Sequence, residues 1–145
     1  MTPKDWTLLV IAARNGSTIG PVYLQKSLFL LSKRLSKKDL GLGATTFYKF
    51  DPYDYGPFCA TIYQDADDLR ADGLITIDRG AWFRAYGATK AGLDEAKKLE
   101  ATLKPDIRNY LHQVVDWACN LSFKQLVSAI YQEYPDMRAN SIFRD

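Results

Sequence analysis

Apolar residues recur every three or four positions along most of this chain, the spacing of helices buried on one face. Trp6, Leu9, Val10 and Ala13 share such a face. Before them, Thr2-Pro3-Lys4-Asp5 offers a cap, a proline at the first helical position and a capping-box acid. Asn15-Gly16 ends that helix. Gly20-Pro21 opens a second, with Leu24, Leu28, Leu31 and Leu35 on one stripe. Gly56-Pro57 opens a third in the same way. Phe58, Ile62, Ala66 and Leu69 line it, and Asp72-Gly73 stops it. Thr89 caps a fourth, with Ala96, Leu99 and Leu103 inward. Asp94/Lys98 and Glu100/Lys104 stand at the i,i+4 spacing of ion pairs. Pro105 opens a fifth with the broadest apolar face: Ile107, Tyr110, Leu111, Val114, Val115 and Ala118. Ser122-Phe123-Lys124-Gln125 is a capping box for a sixth, carried by Phe123, Leu126, Val127, Ile130 and Tyr134 to Pro135. The tail from 136 to 145 has no period.

Between the helices the pattern changes. Phe47 to Phe50 predicts a short aromatic strand, and Asp51 to Gly56 a turn. Leu74 to Ile77 alternates as a strand does. Ile75 to Asp78 is expected to pair with Trp82 to Ala88 around Arg79-Gly80-Ala81. A helix feeding directly into a hairpin is the end of a winged helix-turn-helix, so the architecture turns on Phe47 to Ile77. The predicted fold is mainly α: a winged helix-turn-helix with a short antiparallel β wing, joined by Phe47 to Phe50, and additional C-terminal helices. The chain reads as one domain, 1–145. Residues 1–104 form the winged-helix core, 105–135 a helical extension and 136–145 a tail.

Three motifs carry a family resemblance: Leu24-Gln25-Lys26 in the leucine-rich second helix, Tyr55-Gly56-Pro57 before the third, and Leu69-Arg70-Ala71-Asp72-Gly73-Leu74-Ile75 leading to the wing. Through them the chain resembles small uncharacterised bacterial winged-helix proteins of the YwgA-like type. More distantly it is similar to the Panacea (SocA-like) domain of antitoxins that bind and neutralise toxins. The resemblance spans about Pro21 to Leu93. It implies a binding module and supplies no catalytic residue.

Composition narrows the function. The 145 residues are 47% hydrophobic and 13% aromatic, enough for a core without a staple. There is no apolar run of membrane-spanning length, and Asp5 breaks the layout of a leader peptide. A cytoplasmic protein is expected, with Cys59 and Cys119 as free thiols in helices. The net charge is +2, too little by itself to mark a nucleic-acid binder.

Chemistry-bearing residues are sparse. His112 is the only histidine, whereas a metal site wants several ligands. Cys59 near a helix start could be a thiolate, but a packed thiol is the simpler reading. Asp51 and Asp54 could act as an acid and base, but they also make turns. No enzyme, cofactor or metal is expected.

Two binding readings remain. The third helix presents Thr61, Gln64, Asp65, Asp68 and Asp72, with four acids against one base between Pro57 and Gly73. Phosphate neutralisation dominates DNA affinity, so this helix is a poor groove reader. Gln64, Asp65, Asp68 and Asp72 are therefore the predicted docking surface for a protein partner, a toxin or a regulatory protein. The alternative is a DNA-binding regulator using Lys33, Arg34, Lys37 and Lys38 of the second helix with Arg79 and Arg84 of the wing. Lys26 is placed on the same exposed basic side as those second-helix residues. A two-fold homodimer through residues 105–134 is also expected, since the late helices offer apolar surface in excess of what the core needs.

Overall fold

A helical stretch apolar on every side must be buried on every side, and Trp6 to Ile11 of the first helix are. The computed structural model describes residues 1–80 and 84–143. Its elements in chain order are α1 (Pro3–Ala12), α2 (Pro21–Arg34), β1 (Asp51–Tyr53), β2 (Gly56–Phe58), α3 (Thr61–Ala71), β3 (Ile75–Arg79), β4 (Arg84–Ala88), α4 (Lys90–Glu100), α5 (Pro105–Cys119), α6 (Phe123–Glu133) and a 3₁₀ turn (Pro135–Arg138). The fold is mainly α, as the periodicity predicts. α1 buries Trp6, Leu8, Leu9, Val10 and Ile11 and packs against α2, α3, α4, α5 and β4. The centre of the molecule is thus α1 and not the 47–77 stretch. The Trp6 indole N–H, buried with it, donates to the Leu40 carbonyl at 2.8 Å.

The predicted caps form. Thr2 and Asp5 make a complete capping box on α1, Ser122 and Gln125 another on α6, and the Thr89 hydroxyl accepts from the Gly92 N–H on α4. Leu69 is buried with Ile62 and Ala66 on the inner face of α3. Leu69→Ala is expected to cost about 2–5 kcal/mol, measured by urea unfolding.

The region before α3 differs from expectation. Phe47 to Phe50 pairs with no strand. Its rings pack instead into an aromatic cluster, Phe50 edge-on to Phe29 at 5.4 Å and Tyr48 edge-on to Phe50 at 6.4 Å. The predicted turn is itself a hairpin, with Asp51 opposite Phe58, Pro52 opposite Pro57 and Tyr53 opposite Gly56. Pro57 therefore sits in β2, and α3 begins at Thr61 with no side-chain cap. Ladder bonds in an antiparallel pair alternate. Tyr53 and Gly56 flank the two-residue turn as a bonded pair, so the facing prolines fall where no N–H is needed. Gly56 makes the turn possible with φ of +102°.

The second hairpin pairs Ile75–Arg79 with Arg84–Ala88 in the expected direction. The expected partner Trp82 lies outside the described residues, as does Ala81 of the turn. Its third member is Ile19 and not Phe47 to Phe50. Ile19 exchanges two backbone hydrogen bonds with Tyr86, at 2.8 and 2.9 Å.

The C-terminal elements close the structure. The α5 residues Ile107, Leu111, Val114, Val115 and Ala118 are buried, with α5 packed on α2 and α1. The aperiodic tail docks on the first hairpin. The Ile142 N–H and the Ser141 hydroxyl donate to the Asp54 carbonyl, and the Asn140 amide donates to that of Pro52. Among the described residues no helix is long and apolar enough to cross a membrane.

Candidate functional site

α2 is buried on more than its leucine stripe. Gln25, Lys26 and Ser27 are buried along with Leu24, Leu28, Phe29, Leu30 and Leu31. The expectation that Lys26 lies on an exposed basic face is therefore corrected. Its helical neighbours at i−4, i+3 and i+4 are Val22, Phe29 and Leu30, and that apolar second face was the signal in the sequence. Two buried side chains of α2 pin the segment leading into α3. The Gln25 amide accepts from the Cys59 N–H and donates to the Cys59 carbonyl, both at 2.9 Å. The Lys26 ammonium donates to the Pro57 carbonyl at 3.3 Å. The Leu24-Gln25-Lys26 and Tyr55-Gly56-Pro57 motifs are thus in mutual contact.

Lys26 also lines a cavity of about 220 Å³ walled by Val22, Gln25, Tyr53, Asp54, Tyr55, Gly56, Phe58 and Tyr63. Burial holds its ammonium down to about 8. Asp54 lies on the wall, but no carboxylate forms an ion pair with Lys26 among the described residues. Outside the cavity the hairpin carries an aromatic surface. Tyr53 is 53% exposed, Tyr55 40%, Phe123 37% and Ile142 62%. Tyr55 meets Phe123 edge-on at 5.2 Å, and Phe123 meets Phe143 at 5.9 Å. Nothing in the apolar period marks this patch, because its members come from the hairpin, α6 and the tail and meet only in the fold.

The acidic residues on α3 separate into two groups. Gln64, Asp68 and Asp72 are exposed, as expected. Asp65 is not free surface. It is half-buried and accepts from the Tyr48 hydroxyl at 2.5 Å, while that hydroxyl lies 2.7 Å from Thr7 of α1. Burial, and after it the bond to Asp65, pushes the Tyr48 phenol up. Asp65→Asn keeps the shape and weakens a charge-assisted bond, so a loss of about 1–2 kcal/mol is expected in thermal unfolding.

Most of the basic residues are engaged as well. Arg34 bonds to Glu133 at 2.7 Å and to the Tyr110 hydroxyl at 3.1 Å. Arg79 pairs with Asp67 at 3.5 Å. Arg84 lies over the Tyr63 ring at 4.4 Å and Lys33 over Phe29 at 5.7 Å. Lys37 and Lys38 are exposed, in a turn beyond the end of α2 and not on the helix, because Leu35 leaves helical geometry with ψ of 140°. The structure therefore does not bring the six cations into one uncommitted stripe.

The remaining charged groups make local contacts. His112 contacts the Glu100 carboxylate at 2.5 Å and ties α5 to α4, in place of the expected Glu100/Lys104 pair. Asp94 pairs backward with Lys90 at 3.3 Å, not forward with Lys98. Among the described residues no group of three or more histidine, cysteine or acidic side chains could hold a metal. Cys59 is a buried free thiol and Cys119 a half-buried one. No family model and no curated protein matches the chain.

Proposed function

We propose that this chain is a non-enzymatic protein-binding module of winged-helix build, antitoxin-like or regulatory. The aromatic surface of the first hairpin carries the reading. Contiguous exposed aromatic and aliphatic groups mark protein interfaces, whose energetic centres favour tyrosine and other aromatics. The packing of α1 against both α2 and α3, the hairpin that follows α3 and the Ile19 pairing with Tyr86 support the winged-helix arrangement. The acidic stripe of Gln64, Asp68 and Asp72 provides a second contact region, which repels polyanions and suits a basic rim on the partner.

DNA binding is the alternative, and the geometry favours it less. Arg34 and Arg79 are neutralised by Glu133 and Asp67, which leaves Lys37 and Lys38 as the main phosphate contacts. A homodimer through residues 105–134 has weaker support: the main α5 stripe is covered within one chain, and of the two residues lying off the stripes Tyr131 is buried and Trp117 exposed.

Affinity capture with and without nuclease, using wild type, Tyr55→Ala with Phe123→Ala, and Asp68→Asn with Asp72→Asn, tests the reading. A nuclease-resistant partner lost with the aromatic pair is expected. Tight duplex binding that weakens steeply with salt and depends on Lys37 and Lys38 would overturn it.

A further inference from the structure

Lys26 is the one buried cation of the described structure that has no anion. It is 4% exposed, and its only hydrogen bond among the described residues is the long one to Pro57. An ammonium has three donors, so two have no acceptor among the described residues. Burying a charge without a partner is costly, and a peg for one carbonyl does not require a charge. The side chain ends against a cavity of about 220 Å³, room for roughly seven waters at their liquid share of about 30 Å³ each. The walls are aromatic: Tyr53, Tyr55, Phe58 and Tyr63. Such a site, largely apolar with one buried cation and Asp54 at its wall, suits a small group whose negative charge meets Lys26.

We infer that the Lys26 cavity is the anchor site for a carboxylate carried on an extended segment of a partner protein. This rests on the protein-binding reading and names the chemistry of its central contact. The carboxylate supplies the acceptor that Lys26 lacks, while Tyr53 and Tyr55 close on the chain that bears it. The source is a protein and not a free acid because the exposed surface continues past the cavity to Phe123 and Ile142, well beyond what a small molecule covers. Asp54 on the wall selects against a second acid close to the first.

The test is selection of displayed random peptides on the full-length chain, followed by fluorescence anisotropy on those enriched. Enriched peptides are expected to carry Asp, Glu or a free C-terminal carboxylate beside an aromatic or aliphatic residue. Converting that acid to its amide should weaken binding at least about tenfold. Lys26→Met should lose as much, and on that variant acid and amide should bind alike. The amide change leaves the protein untouched, so the answer does not depend on how the variant folds. Peptides that need Tyr55 but bind equally as acid and amide would overturn the anchor and leave the protein-binding reading standing. Peptides indifferent to both Tyr55→Ala and Lys26→Met would overturn both. Benzoate shifting the Lys26 ε-carbon resonance, when no peptide does, would overturn the protein source.

Discussion

Gly92→Ala is expected to destabilise the protein by about 3 kcal/mol or more, the upper end for overpacking. Gly92 lies in the first turn of α4, where a β-carbon would stand 1.9 Å from the Leu74 carbonyl oxygen and 2.9 Å from its carbon. Both are backbone atoms, so no side-chain rotation relieves the clash. The junction is tightly held. The Thr89 N–H donates to the same Leu74 carbonyl at 3.0 Å, and the Thr89 hydroxyl donates to the Gly73 carbonyl at 2.7 Å. Moving α4 outward would break these bonds and lift Ala96 from the core. Urea unfolding of the variant should show a lowered midpoint with an unchanged slope. An unchanged midpoint would mean that α4 moves away at little cost.

Lys26→Met is expected to stabilise the free protein at neutral pH, by about 1–4 kcal/mol. Methionine fills similar space without a charge to desolvate, and the exchange forfeits one long hydrogen bond. The difference should depend on pH in a defined direction. In the unfolded chain Lys26 keeps its proton to about 10.5, and in the folded protein it releases it at about 8. Between those values the unfolded state binds more protons, so wild-type stability gains with rising pH. Below about pH 8 both states are charged and the contribution is flat. The deficit of wild type against the methionine variant should therefore shrink by about 3 kcal/mol across that window. Burial raises the Tyr63 and Tyr86 phenols. Their opposing effect above about pH 10 is common to both proteins and largely cancels in the difference. A variant less stable at every pH would show that Lys26 is a structural peg.

Much of the helical framework is legible in the sequence, because caps and periodic apolar residues are local signals. Thr2 with Asp5, Thr89, and Ser122 with Gln125 each mark a helix start that the structure contains. Local signals fail where two structures share one chemistry. Gly20-Pro21 starts a helix while Gly56-Pro57 closes a hairpin, and only the facing Pro52 tells them apart. The candidate surfaces are less legible for a different reason. Asp65 and Arg79 look free in one dimension, and their partners Tyr48 and Asp67 are known only from the fold. Lys26 reads as surface when the leucine stripe alone defines the apolar side of α2, which in the fold has a second face at Val22, Phe29 and Leu30. The aromatic patch joins the hairpin to α6 and to the tail, which has no period and docks through a backbone bond from Ile142 to Asp54.

The central position of α1 sets an order of events during synthesis. The residues Trp6 to Ile11 of α1 face the core on every side, but α4 and α5, which cover them, are made only after residue 89. Ribosomes add about 5–20 residues per second, so α1 waits several seconds for its cover. Through that interval Trp6, Leu8, Leu9, Val10 and Ile11 form a sticky segment on every nascent copy. A chain stalled or cut before α5 would keep that segment exposed and be a target for chaperones and proteases. The completed protein hides it entirely.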